Sequence, residues 1–348
     1  MVKKIFYCFI CLFTFLFANE LDSKSTTSSN SSYIIWPKSN SIYESNYLSL
    51  IVKKVDKVDK IIVLLNDEVV VDKKITPQSV KHEDILYFNI KLYDLGINKI
   101  SIKGFYKDKK VLEDSLEVFF RSILGKKYRY PSSKYKRVFF HNQENEKLCS
   151  ECHDMSVNEI KGVVFHNSED SNCYECHKYM MSEKYMHAPA ANWLCATSCH
   201  SGKAGEFNKK YKDKSKFLYE DPIAPICLNC HEKFKKRFYK EKYRHEPVDD
   251  GRCNKCHNPH GNNDKKFLRY DVWSLCTTCH TDKKTQPHVV MTFSKKAHPT
   301  RGKKDPTDPT KELSCISCHN PHVSNNGFML KGYRGKGMML WCAKCHKK

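Results

Sequence analysis

One arrangement of cysteine and histidine, Cys-x-x-Cys-His, recurs seven times in this 348-residue chain. The units are Cys149-Cys152-His153, Cys173-Cys176-His177, Cys227-Cys230-His231, Cys253-Cys256-His257, Cys276-Cys279-His280, Cys315-Cys318-His319 and Cys342-Cys345-His346. An eighth unit, third in chain order, has one more residue between its thiols: Cys195-Cys199-His200. Two thiols one short turn apart can each form a thioether with a haem vinyl group, while the histidine that follows ligates the iron from below. Structural zinc also uses cysteine pairs, but it does not need a histidine after every second cysteine. A disulfide framework does not need one either. Repetition over eight units argues against both, and eight covalently bound c-type haems are expected. The added residue in the third unit alters attachment geometry but keeps both thiols and the histidine.

Of the 18 cysteines, only Cys8 and Cys11 lie outside these motifs. They fall within residues 1–18, where Lys3 and Lys4 precede an apolar run ending at Phe17 and Ala18. The pattern reads as a secretory signal peptide, and the run is short for a membrane span. An uncleaved N-terminal anchor is the alternative. Export to the periplasm or outer cell surface of a Gram-negative bacterium fits, because haem c is attached outside the cytoplasm. Of the 17 histidines, eight belong to the motifs and His82 lies in a β-rich segment. The remaining eight are His141, His166, His187, His245, His260, His288, His298 and His322. Eight spare histidines for eight irons point to bis-histidine ligation throughout. His141 lies eight residues before Cys149, His166 seven before Cys173, His187 eight before Cys195 and His245 eight before Cys253. For any one of them a surface or supporting role is the alternative. Met155, Met180, Met181, Met186 and Met291 are rival axial ligands, but with histidines in sufficient number they are expected to pack.

The chain around these residues changes character twice. Residues 19–32 are rich in Ser, Thr and Asn and read as a flexible linker. Residues 33–122 carry no cysteine and many β-branched and aromatic side chains. Strands are expected at 33–36, 47–52, 61–65, 68–71, 86–92, 99–103 and 116–121, with a hairpin turn at Asn66-Asp67. Seven short strands over this length suggest a β-sandwich. A basic stretch, seven Lys or Arg and no acid between Arg121 and Arg137, makes 123–137 the expected interdomain linker. Residues 138–348 then hold eight haems, so the cofactors must form most of the core, wrapped by short helices and loops. One helix is expected at 232–243, with Phe234/Phe238 and Tyr239/Tyr243 at four-residue spacing, and others at 179–187 and 207–218. Leu148, Leu194, Ile226, Leu275 and Trp341, just before motifs, are expected on haem faces, as are Trp193 and Trp273.

An internal repeat links two stretches. Cys253-Asn254-Lys255-Cys256-His257-Asn258-Pro259-His260 is echoed by Cys315-Ile316-Ser317-Cys318-His319-Asn320-Pro321-His322. Each is followed by a Phe-Leu or Phe-Met pair and then a second motif. Residues 252–348 resemble the doubled Cys-x-x-Cys-His module of multihaem c-type cytochromes, and 149–231 do so less closely, without Asn-Pro-His. Trp36-Pro37-Lys38-Ser39 and Leu95-Gly96-Ile97-Asn98 resemble small bacterial immunoglobulin-like domains. The resemblances imply two domains: an N-terminal all-β immunoglobulin-like sandwich and a C-terminal haem-packed multihaem cytochrome c domain with short helices and mostly irregular loops. They also imply that His260 and His322 are distal ligands of neighbouring haems, those of His280 and His346, with His245 and His298 serving the first haem of each pair. A swapped assignment is the alternative.

The net charge of +21 invites a nucleic-acid reading. It is concentrated, however: 18 basic and 15 acidic residues lie in 1–122, against 42 and 24 in 123–348. Haem propionates would offset much of that excess, so nucleic acid is not an expected partner. Irons closed by two histidines have no place for substrate, so the expectation is an electron carrier with no bond chemistry. Its partners would be donor and acceptor cytochromes or reductases, with self-assembly or association with the outer membrane or cell surface as further variants. The alternative is a reductase of nitrogen or sulfur oxyanions with one open haem. No Cys-x-x-Cys-Lys marks such a site, so the stretched Cys195 motif would be the first place to look.

Overall fold

The computed structural model describes residues 32–53, 56–76, 85–158, 165–211, 215–285, 288, 298–333, 335 and 337–346. The expected signal peptide, most of the expected first linker and His82 lie outside these. From Tyr33 onward the chain forms one compact unit. Nine strands build its N-terminal part: β1 (Ile34–Trp36), β2 (Ser41–Tyr43), β3 (Tyr47–Lys53), β4 (Lys60–Leu65), β5 (Glu68–Lys74), β6 (Ile85–Lys91), β7 (Gly96–Tyr106), β8 (Lys109–Phe120) and β9 (Lys136–Arg137). They make two sheets, ordered β1-β3-β6 and β5-β4-β7-β8-β2-β9. Pairing is antiparallel except where β2 runs parallel to β8 and β9.

Alternation explains the sandwich. In β4, Ile61, Val63 and Leu65 point inward and are buried, as are Ile100 and Ile102 in β7 and Leu48, Leu50 and Val52 in β3. Two faces patterned at period two bury each other, and these residues form one core cluster. Asn66 and Asp67 turn β4 into β5 with φ of 52° and 67°, the paired left-handed conformation of a tight hairpin. Lys107 and Asp108 do the same between β7 and β8, at 48° and 64°. Lysine is not a turn signal, which is why these two long strands were expected only as short runs. All seven expected strands are present; β2 and β9 are additional.

The basic segment after β8 folds back on the sandwich. Tyr135 is buried against Phe119, with ring centroids 5.1 Å apart. Lys134 Nζ reaches Glu117 at 2.9 Å, and Arg137 joins Glu44 at 3.3 Å. The outer face of the smaller sheet meets the cysteine-rich region directly. Tyr87 in β6 donates its hydroxyl to Cys176 O at 2.7 Å, and Tyr47 in β3 packs on Tyr179 with centroids 4.9 Å apart.

Beyond residue 138 the elements are short. Among the described residues the longest helix is Glu232–Lys240, where a helix was expected. The stretch 179–187 is not one helix: Lys178–Met181 is a 3-10 turn and Tyr185–Met186 a strand pairing with Gly261–Asn262. Local periodicity cannot register a partner more than seventy residues away. Residues 206–211 are likewise 3-10 rather than α-helical. Tyr243–Arg244 pairs with Val323–Ser324 in a second ribbon of the same kind. Among the described residues here, buried apolar side chains such as Trp193, Leu218, Leu228 and Leu330 are scattered and form no cluster comparable to the sandwich core. No helix of the described residues is long and apolar enough to cross a membrane.

Candidate metal centres

Each motif is one closed turn. The histidine N–H donates to the carbonyl of the first cysteine in all eight, at 2.7–3.1 Å. This bond closes the turn that carries both thiols and the imidazole. In the third motif, Cys199 N and His200 N both reach Cys195 O, at 3.1 and 2.7 Å. The inserted residue is thus absorbed as a one-residue bulge in the turn, and His200 emerges as the other motif histidines do.

Seven of the eight motif histidines face a spare histidine from elsewhere in the chain. The pairs are His177 with His141 (6.0 Å between ring centroids), His200 with His260 (6.2 Å), His231 with His187 (6.1 Å) and His257 with His322 (5.9 Å). The others are His280 with His245 (6.0 Å), His319 with His288 (6.1 Å) and His346 with His298 (6.1 Å). The remaining motif histidine, His153, and the remaining spare one, His166, are both exposed.

The angles between paired rings range from 10° to 71°, while the separation stays within 5.9–6.2 Å. Rings in direct contact would change their separation with their tilt. A metal bonded to both would not, since the separation is then two metal–nitrogen bonds of about 2.0 Å plus two half-rings, roughly 6.2 Å in all. The residues therefore fit an iron held between each pair.

Hydrogen bonds at the other ring nitrogen fix the orientation. Nδ1 of His187 lies 2.9 Å from Pro259 O, that of His200 3.2 Å from Phe217 O, and that of His257 2.7 Å from Lys266 O. Nδ1 of His319 is 2.9 Å from Phe328 O and that of His298 3.0 Å from Pro299 O, and His245 bonds the backbone of Pro321. With the proton donated from Nδ1, the Nε2 lone pair is left for a metal. Burial favours the neutral ring: it pushes His177 down to about 4, His260 to about 3 and His322 to about 4, and lowers His141, His187, His245 and His288 as well.

The pairing differs from the expectation. His260 faces His200 rather than His280, and His322 faces His257 rather than His346. His245 and His298 face the second motif of each pair, His280 and His346, not the first. The ribbons are the reason. His187 N donates to His260 O and His245 N to His322 O, each at 3.0 Å, so two spare histidines leave one ribbon toward different motifs. A sequence signal for this existed. Glu183-Lys184-Tyr185-Met186-His187-Ala188-Pro189 repeats as Glu241-Lys242-Tyr243-Arg244-His245-Glu246-Pro247, and each ribbon begins at its tyrosine. The aromatic pair after Asn-Pro-His is also offset by one: His257 bridges Leu268 and His319 bridges Leu330, so Phe267 corresponds to Met329.

Neighbouring motifs touch through their thiols. Cys227 hydrogen-bonds Cys253, and Cys276 hydrogen-bonds Cys315. Trp193 is buried against Tyr174, and Trp273 lies under the Arg301 guanidinium at 3.7 Å.

Residues 245–285 and 308–348 each match the doubled CXXCH motif. Those two stretches thus carry paired units of the kind that attach haem c, and they follow an N-terminal β-sandwich. Among curated proteins it is 27% identical over 172 residues to multiheme cytochrome MtrA of Shewanella baltica (strain OS185), covering 44% of this chain and 46% of MtrA. A shorter match, 31% over 99 residues, is to Testin of Plecturocebus moloch and covers 24% of each chain. The chain therefore spans less than half the length of these relatives. Two solved structures each align with 25% of it at a TM-score of 0.20. They are the fibronectin(III)-like modules of Clostridium thermocellum CbhA (20% identical, 92% of that chain) and the ectodomain of mouse leukocyte-associated immunoglobulin-like receptor 1 (13%, 91%). At such scores the sandwich rests on its own strand pairing.

Proposed function

We propose that this chain is an exported octahaem c-type cytochrome that passes electrons along a row of bis-histidine haems. The observation that carries this reading is the constant separation of seven histidine pairs whose ring angles differ widely. His153 and His166 make the eighth pair in this reading. When bound, the haems supply one-electron Fe(III)/Fe(II) chemistry at potentials low relative to His/Met sites. The polypeptide keeps them apart from substrate. Two imidazoles would close each iron and sixteen cysteines would hold the porphyrin edges as thioethers, while the Nδ1 acceptors hold the rings in place.

Chain order is also the proposed electron order. The first ribbon links the third and fourth motifs through His260 and His187, and the second links the fifth and sixth through His322 and His245. The attachment sulfurs of the fourth and fifth motifs, and of the sixth and seventh, lie side by side, which would bring those haem edges together. Donor and acceptor would be redox proteins in the periplasm or at the outer surface, and the residual basic charge would steer acidic ones. The reductase alternative gains nothing from the stretched motif, because His200 has its partner at 6.2 Å, beside 5.9–6.1 Å for the other six pairs.

Low-temperature EPR on the oxidised holoprotein tests the reading, with haem counted per chain and carbon monoxide added after reduction. Eight low-spin haems without carbon monoxide binding are expected. A stoichiometric high-spin signal that binds carbon monoxide would overturn full bis-histidine closure and favour the reductase.

A further inference from the structure

Among the histidines whose Nδ1 acceptor is described, five meet backbone carbonyls, His187, His200, His257, His298 and His319, and the His245 ring also bonds the backbone, at Pro321. His141 differs. Its Nδ1 lies 3.1 Å from Glu146 Oε1, and Glu146 is only 9% exposed. The other carboxylate oxygen is 3.3 Å from Lys216 Nζ. Lys216 is anchored in turn: its backbone N donates to His141 O at 2.8 Å and its Nζ to Met155 O at 2.6 Å. Glu146 ends the helix Gln143–Glu146, whose start is fixed by Asn142 Oδ1 accepting from Asn145 N at 2.9 Å. The carboxylate is therefore held against the imidazole by the backbone on both sides.

A carboxylate is a stronger acceptor than a carbonyl; a charge-assisted bond is roughly twice as strong as a neutral one. It draws the Nδ1 proton toward itself and raises the basicity of Nε2. A more basic ligand favours ferric over ferrous iron, and so does a nearby negative charge in a poorly solvated site. Lys216 offsets that charge, which lets the carboxylate remain buried.

We propose that Glu146 is a positioning residue that, through His141, makes the haem on Cys173, Cys176 and His177 harder to reduce than a carbonyl acceptor would leave it. Glu146 thereby sets an energetic step near the N-terminal end of the row. This rests on the bis-histidine reading above. One electron enters at the iron while the Nδ1 proton stays on the imidazole, so no co-reactant is required.

Glu146→Gln keeps shape and an acceptor oxygen but removes the charge. In the holoprotein it should leave eight low-spin haems, shift one reduction potential upward, and move one low-spin EPR signal. That signal should be the one lost in His141→Ala. Glu146→Asp keeps the charge but withdraws it by one methylene, so it should shift the same potential upward by less, and it serves if the glutamine variant does not assemble. Unchanged potentials and EPR in an assembled variant would sink the role of Glu146 while leaving the ligands untouched. If His141→Ala itself keeps every iron low-spin, the ligand assignment fails first and the proposal goes with it.

Discussion

At the scale of single residues, the chemistry depends on which imidazole meets which. A pairing is tested by non-additivity, since two changes at one site do not add. His260→Ala should convert one iron to high spin, although His260 follows the fifth motif. Adding His200→Ala should still leave only one perturbed iron, because both ligands belong to it. Two perturbed irons by EPR spin counting would place His260 elsewhere. His322→Ala combined with His257→Ala should behave in the same way.

The elements that set these meetings are two-residue ribbons, and they tolerate little. A Cβ at Gly261 would lie 2.5 Å from Tyr185 O across the first ribbon. Gly261→Ala should therefore spread the strands, cost about 1–3 kcal/mol, and disturb the third and fourth haems together. Thermal unfolding and EPR of the same sample would check both effects. The contact between β6 and the second motif makes a separate prediction. Tyr87 donates to Cys176 O, and burial raises its pKa. The folded state thus favours the neutral phenol, so this contribution is present below pH ~10 and is lost as the unfolded chain ionises above it. Tyr87→Phe should cost about 1 kcal/mol at neutral pH and weaken the alkaline loss of stability, leaving the shares due to Tyr43 and Tyr179, whose pKa values burial also raises. An unchanged stability–pH profile would argue against the contact.

Across the whole molecule, two kinds of core stand side by side. The sandwich buries a continuous cluster of Ile, Leu and Val side chains, whereas among the described residues of the cysteine-rich region buried apolar side chains are scattered. Scattered burial offsets less of the entropy of ordering the backbone than a continuous core does. Chain made without haem attachment should therefore keep its β-sheet circular dichroism and lose most structure beyond residue 138. Protection from hydrogen exchange confined to residues 33–122 would bear this out, and equal protection in both regions would contradict it.

What the sequence determined by itself is whatever short range dictates. The cysteine–histidine turns were legible because each is closed by a bond within five or six residues, and the seven strands because burial alternates at period two. The number of spare histidines was legible as a count. Tertiary structure alone decided their partners. His187 and His260 are seventy-three residues apart and are joined by one backbone hydrogen bond, which turns them toward different motifs. It also decided that the basic stretch adds β9 to the sheet, since Lys136–Arg137 pairs with Ser41–Ile42 nearly a hundred residues earlier. Contacts of that range leave no local period in the chain. They depend on backbone groups that every residue carries, so side-chain identity marked the ribbons only through the repeated Glu-Lys-Tyr-x-His-x-Pro segment and left β9 unmarked.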